Sequence, residues 1–274
     1  MKQILIPTDF SACADNAIYY ALKFANAVSA SLTLFHVYHI PVLANDLQND
    51  AESTMKELEN DSMNKLRQLK STMGLLVPEV KVNIQVCLGS ATDEIKRYGT
   101  ESSYDLIIMG INGEGNVPKW LGNTATSVAS NVPLPVLLVP AEVKFRELNH
   151  VIFAFDFINI KHPERLFVVS ELSRILKFRM SILNIVDEVK NDGLMERALA
   201  RIQLNELLSG TDYKFSLTTD KEVIHGISGF VKENHGDLLV MIKRQYGFIE
   251  RIFKGSHTNK MAFHTDVPLL ILHD

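Results

Sequence analysis

The strongest constraint on this 274-residue chain is an internal repeat. Residues 4–10 read ILIPTDF and residues 151–157 read VIFAFDF, two short runs that both end in Asp-Phe. Two more pairs of segments match in the same order: 105–109 with 237–241, and 133–139 with 267–272. Chance rarely gives three matched segments in one order, so we predict two homologous halves, 1–143 and 148–274.

Each half alternates short apolar runs with helix-like segments. The runs lie near residues 3–8, 31–38, 80–88, 104–110 and 135–139, and near 150–156, 180–186, 213–219, 237–243 and 268–272. They are continuously apolar, which is typical of parallel strands covered on both faces. The predicted fold class is therefore α/β, with two tandem doubly wound open parallel sheets of five strands and helices on both faces. In such sheets ligands bind beyond the carboxyl ends of the strands, so a site should follow strands one, two and four of a half.

Composition and charge exclude several classes of function. The net charge is −4, so the chain lacks the basic field of most nucleic-acid-binding proteins. No uncharged apolar run approaches the ~18 residues of a membrane helix, and no secretory signal is visible. Two cysteines, Cys13 and Cys87, are too few for a disulfide framework. We therefore expect a cytoplasmic protein with no nucleic-acid or membrane partner.

Polar residues follow the first predicted strand. Asp9 can accept a hydrogen bond from an exocyclic amine or a ribose hydroxyl, or Asp9 and Ser11 can simply cap the next helix. Asp156 lies at the matching place in the second half. Cys13 falls in the first turn of that predicted helix, where a thiolate is favoured. His36 and His39 have no Cys or carboxylate partner at the spacing of a metal site, so we predict no metal centre.

A glycine-rich segment follows the fourth predicted strand. Three glycines lie within residues 110–115, and Gly122, Asn123 and Thr124 open a helix. Glycines let the backbone approach phosphate oxygens, and the free amides at a helix N-terminus point at them. The segment therefore predicts an anion site opposite Asp9, whereas without that context it would be only a turn.

The sequence resembles the universal stress protein family, and specifically its tandem two-domain members. The resemblance rests on PTDFS at 7–11, LFHV at 34–37, Met-Gly-x2-Gly at 109–113, Gly-Asn-Thr at 122–124, and the closing segment 131–139. Together these short motifs and their repeats span nearly the whole chain. The resemblance implies an adenine-nucleotide α-hydrolase-like fold for each half.

The resemblance also implies a ligand, which is ATP or another adenine nucleotide, with or without Mg²⁺. The implied contact residues are Pro7, Thr8, Asp9 and Val37 at the base end, and Met109, Gly110, Gly113, Gly122, Asn123 and Thr124 at the ribose and phosphate end. In ATP-binding members the loop reads Gly-x2-Gly-x9-Gly followed by Ser or Thr. Here only eight residues separate Gly113 from Gly122, and Asn123 follows, so the departure bears on the phosphates more than on the base.

The second half departs further from the motif. Ile242 and Gln245 stand where the first half has Gly110 and Gly113, although Gly255 and Ser256 are intact. A branched side chain at 242 argues against the same mode of binding. Lys243 and Arg244 lie between Ile242 and Gln245, and they either attract an anion or form a solvated charged loop.

Three functions are compatible with these residues. The leading hypothesis is a stress-response protein with a non-catalytic nucleotide site in the first half and a degenerate second half for assembly or regulation. The alternatives are a nucleotide-free scaffold and, with the least support, a weak ATPase, since no general base is visible. We expect the halves to pack on each other as a pseudo-dimer through the uncharged last strands, 136–139 and 269–272. A homodimer of the chain and a protein client of unknown identity complete the expected partners.

Overall fold

The structure, a computed structural model, describes residues 1–39, 51–101, 103–111, 123–156, 162–186, 194–243 and 266–273. Its strands are β1 (Gln3–Pro7), β2 (Ser31–Tyr38), β3 (Val82–Leu88), β4 (Leu106–Ile111), β5 (Val136–Pro140), β6 (His150–Ala154), β7 (Arg179–Val186), β8 (Tyr213–Thr219), β9 (Leu238–Lys243) and β10 (Leu269–His273). Its helices are α1 (Ala12–Val28), α2 (Ala51–Leu76), α3 (Ala91–Glu101), α4 (Asn123–Asn131), α5 (Phe167–Leu176), α6 (Leu194–Leu207) and α7 (Val223–Glu233), with a 3₁₀ turn over Pro163–Leu166. The predicted fold class is confirmed, and each strand begins and ends within two residues of its predicted bounds.

The strands form one sheet of ten, in the order β3-β2-β1-β4-β5-β10-β9-β6-β7-β8. Within each half the neighbouring strands are parallel, while β5 and β10 meet antiparallel at the centre. Leu138 pairs with Leu269 and Leu137 with Leu270, so the contact joins the two strands expected to link the halves. The two predicted five-stranded parallel sheets are thus continuous through one antiparallel ladder.

Helices cover both faces of this sheet. Side chains of α1, α2, α5 and α6 pack in one apolar cluster, and side chains of α3, α4 and α7 pack in the other. Strand residues alternate between the clusters, as Ile4, Leu5 and Ile6 do, and all three are fully buried. None of the described helices combines the length and apolar character that crossing a bilayer requires.

Each half contains one aspartate that makes the same pair of hydrogen bonds to the backbone. Asp105 Oδ2 accepts hydrogen bonds from the backbone N–H groups of Lys2 and Gln3, at 2.6 and 2.9 Å. Asp237 Oδ2 accepts the equivalent bonds from Asn149 and His150, at 2.8 and 3.0 Å. Each carboxylate thus fixes the start of a half's first strand against the start of its fourth, where the backbone donors lie outside the ladder.

The segment between the halves is docked rather than extended. The Asn16 side-chain amide on α1 donates to the carbonyls of Pro140 and Val143, at 3.0 and 2.9 Å. The Phe145 ring packs edge-on against Tyr20, with ring centroids 5.2 Å apart. The direction in which the chain enters the second half is therefore set by side chains of α1.

The paired aspartates predict unequal effects on stability. Asp237 is buried and Asp105 is exposed, so Asp237→Ala leaves the buried His150 N–H without its acceptor and also removes the ion pair of Asp237 with Arg146, at 2.9 Å. We expect Asp237→Ala to lower the free energy of unfolding by about 2 kcal/mol and Asp105→Ala by less than about 1 kcal/mol. Urea unfolding of the two variants beside the parent chain measures both values. Equal losses would show that burial does not decide the strength of these contacts.

Candidate functional site

A cleft of about 190 Å³ opens at the carboxyl ends of β1, β2 and β4. This is the edge at which β1 lies between β2 and β4 and the strand order reverses. Seven predicted site residues line the cleft: Pro7, Thr8, Asp9, Val37, Met109, Gly110 and Thr124. Of the remaining three, Gly113 and Gly122 lie outside the described residues, and Asn123 is described only as the first residue of α4.

The turn between β1 and α1 is held by side-chain oxygens. Thr8 Oγ1 accepts from Phe10 N at 3.0 Å, and Phe10 has a φ of 61°, in the left-handed region that few non-glycine residues adopt. Asp9 Oδ1 accepts from Ser11 N at 3.0 Å, and Ser11 Oγ accepts from Ala14 N at 3.2 Å as the N-cap of α1. Ser11 therefore caps the helix, while Asp9 holds the turn with one oxygen and remains exposed at the cleft.

His36 supports the same turn from β2. Its Nδ1 lies 2.7 Å from the Thr8 carbonyl and donates to it, and its ring packs 4.4 Å from the Phe10 ring. Burial lowers the pKa of His36, so the ring is neutral at physiological pH. In the second half Asn184 takes this place and donates to the Phe155 carbonyl at 2.9 Å. The described residues contain no group of three His, Cys, Asp or Glu side chains that could hold a metal ion.

Gly110 is required by packing between α1 and β4. A Cβ at this position would lie 2.6 Å from the Cys13 carbonyl oxygen and 2.7 Å from the Cys13 sulfur. Such distances would force the start of α1 away from the sheet. The glycine that the sequence associates with a phosphate thus has a structural reason of its own.

Cys13 departs from its predicted chemistry. Burial, with a smaller contribution from the negative charge of Asp9, raises the pKa of the Cys13 thiol from 9.0 to about 11. The pKa moves away from that of a favoured thiolate, so this expectation is wrong. The thiol lines the cleft as a neutral, weakly polar group.

The opposite wall of the cleft is the first turn of α4. Thr124 and Ala125 line the cleft, and the first backbone amides of a helix have no partner within the helix. The first turn of α4 contains no acidic side chain, so nothing in that turn opposes a bound anion.

Part of the apolar lining of the cleft was not among the predicted site residues. Phe35, Ala91, Ile95 and Ile111 contribute surface beside Val37 and Met109. Their sequence signal is only the apolar pattern of a core, because wall and core residues look alike until the helices are placed.

The second half uses its matching positions differently. Lys243 is the last residue of β9 and donates to the Ser130 carbonyl on α4, so it belongs to a strand and not to a solvated loop. Ile242 packs against the apolar core. Gln245, Arg244, Gly255 and Ser256 lie outside the described residues.

Comparison with known proteins places the chain in a family. The profile of the universal stress protein family matches residues 1–140 and 186–273, and the chain belongs to this family. Universal stress proteins MJ0531 and MJ0577 of Methanocaldococcus jannaschii are 27% and 28% identical to it over 143 and 152 residues. Each alignment covers 50% of this chain, with 81% of MJ0531 and 94% of MJ0577.

A solved structure shows the same fold over the full length. The universal stress protein from Archaeoglobus fulgidus DSM 4304 superimposes with a TM-score of 0.71 at 18% identity. The match covers 99% of this chain and 96% of that protein. At this identity the likeness defines the fold of both halves.

The raised pKa of Cys13 predicts the pH dependence of its reactivity. In a Cys87→Ser variant, the alkylation rate of the native chain should rise about tenfold per pH unit and level off near pH 11. In urea the rate should level off near pH 9, because the burial is lost. Asp9→Asn should lower the native value, since the Asp9 charge contributes to it. A native rate that levels off below pH 9 would contradict this account.

Proposed function

We propose that this stress-response protein binds ATP or another adenine nucleotide in its first half and does not turn it over. The observation that carries the proposal is the cleft, in which seven of the ten predicted residues lie together at the edge where the strand order reverses. Before folding, these residues are spread over more than a hundred positions of the chain.

The chemistry of the cleft suits a purine base. Phe35, Val37 and Met109 provide an apolar surface for the ring. Asp9 Oδ1 accepts a hydrogen bond from Ser11 N. The carboxylate has further acceptor sites, so it can also accept a hydrogen bond from the exocyclic amine of adenine. Guanine presents a carbonyl oxygen in place of that amine and would meet the carboxylate with repulsion. We therefore propose that adenine is preferred over guanine.

The first turn of α4 suits the phosphates. Its free amides and its positive helix end attract an anion, and Thr124 adds a hydroxyl donor at the cleft. Asn123 and the glycines Gly113 and Gly122 enter the proposal only through the family motif.

We propose binding without turnover because the described lining of the cleft offers no carboxylate to activate water at the phosphate end. Asp9 is the one carboxylate among the described residues that line the cleft, and the proposal assigns it to the base. A general base must lie within hydrogen-bond reach of the water that it activates. In the described part of the cleft, none is left for the phosphate end.

Ligand binding predicts stabilisation without phosphate release. A ligand that binds only the folded chain adds about 2.7 kcal/mol at a hundredfold excess over its Kd. The melting temperature should therefore rise by a few degrees with ATP and much less with GTP. Inorganic phosphate should stay at background in the same samples. If millimolar ATP leaves the melting temperature unmoved, the nucleotide-free scaffold is the better account, and if phosphate accumulates, the ATPase is.

The repeat offers a matched pair of variants to locate the site. Asp9→Asn keeps an oxygen for Ser11 N but removes the charge, so ATP affinity should fall about tenfold, by the loss of a charge-assisted hydrogen bond. Asp156→Asn makes the same change in the second half and should leave the affinity unaltered. Titration calorimetry should give one site per chain in the parent. Two equal sites, or equal effects of the two variants, would place binding elsewhere.

A further inference from the structure

The helix that forms one wall of the cleft is held at its other end by the second half. His273 Nε2 donates to the Ala129 carbonyl at 2.9 Å, and Lys243 Nζ donates to the Ser130 carbonyl. The two side chains are neighbours, because His273 on β10 is in register with Lys243 on β9. They reach α4 because β10 pairs with β5 of the first half.

The sequence of α4 makes it dependent on outside contacts. Seven of its nine residues are Asn, Thr, Ser or Val, which favour helix less than Ala does, and a nine-residue helix is marginal alone. The last turn of α4 contains no basic side chain. The positive charge that complements the negative end of a helix dipole is supplied here by Lys243 of the other half.

The two ends of α4 therefore meet different halves of the protein. Thr124 and Ala125 face the cleft, while the carbonyls of Ala129 and Ser130, one to two turns away, accept from the second half. Between these ends, the buried side chains of Ala125, Val128 and Ala129 pack on the sheet. The helix is therefore in contact with the cleft at its first turn and with the second half at its last.

We propose that Lys243 and His273 are positioning residues for the nucleotide site of the first half, and that they act through α4. This inference rests on the proposed function and adds a regulatory role for the second half. In the second half, Ile242 and Gln245 stand where the family motif has glycines, and Lys243 lies between them. The segment that has lost the motif thus carries a residue that supports the site of the first half. Because coupling between two sites is reciprocal, a nucleotide bound at the first turn of α4 also strengthens the contacts of Lys243 and His273 with its last turn.

The test uses the full chain with Lys243→Met, His273→Phe and the double variant. Hydrogen exchange of the α4 amides should speed up about two- to fivefold in each single variant and about tenfold in the double one. Lys243→Arg keeps a cationic donor and should restore the parent rate. Lys144→Met is the matched control, because Lys144 donates to Asn16 of α1 at 2.8 Å and not to α4. An unchanged α4 exchange rate in the double variant would overturn the anchoring.

Calorimetry with ATP and with adenosine separates positioning from general stability. The Kd of ATP should rise about two- to fivefold in the double variant, while the Kd of adenosine, which has no phosphates for α4, should not change. Equal changes for both ligands, or none for ATP despite faster exchange, would overturn the positioning role. A parent chain that binds neither ligand would contradict the proposed function, and the exchange measurement would still decide whether the second half holds α4.

Discussion

The antiparallel pairing of β5 with β10 is the contact on which the rest of the structure depends. Both strands are buried on both faces, and their central leucines are nearly inaccessible to solvent. Left unpaired, either strand would expose a row of backbone donors and acceptors beside an apolar surface. Their pairing turns the two halves into one sheet, and it leaves β3 and β8 as the outer strands. It also brings the ends of β9 and β10 to the last turn of α4, the helix whose first turn lines the cleft.

The architecture could be predicted from the sequence because its signals are local. Continuous apolar runs and their repeat define parallel strands wherever helices cover both faces. The roles of Asp105 and Asp237 could not be found in this way, since each accepts hydrogen bonds from residues more than eighty positions away. The sequence shows that the two aspartates correspond, but only the folded sheet shows that they join the first strand of a half to its fourth.

The sequence predicts which residues lie together at the candidate site better than it predicts the properties of their side chains. Residues at the carboxyl ends of β1, β2 and β4 do meet in one cleft, because the strand ends of a parallel sheet share an edge. From the sequence, Gly110 is expected to contact the ribose and phosphates, and Cys13 is expected to favour its thiolate. In the fold they explain each other, since the Cys13 backbone fills the space that a Cβ at Gly110 would need. Such contacts between distant segments decide the pKa of a thiol, and neither helix position nor spacing reveals them.

The two halves differ in sequence at the end of their fourth strands, where the first half has Gly110 and the second has Ile242. An insertion of side chain at Gly110 would displace α1, whereas at the matching position the second half accommodates Ile242 as part of its core. The residue after Ile242 matches Ile111 of the first half, a position at which the motif requires no glycine, and in the second half it is the long, cationic Lys243. Lys243 in that place donates to a backbone carbonyl of the other half, on α4. The loss of the glycine at position 242 and the contact of Lys243 with α4 therefore lie side by side at the end of β9, where the first half has Gly110 and Ile111.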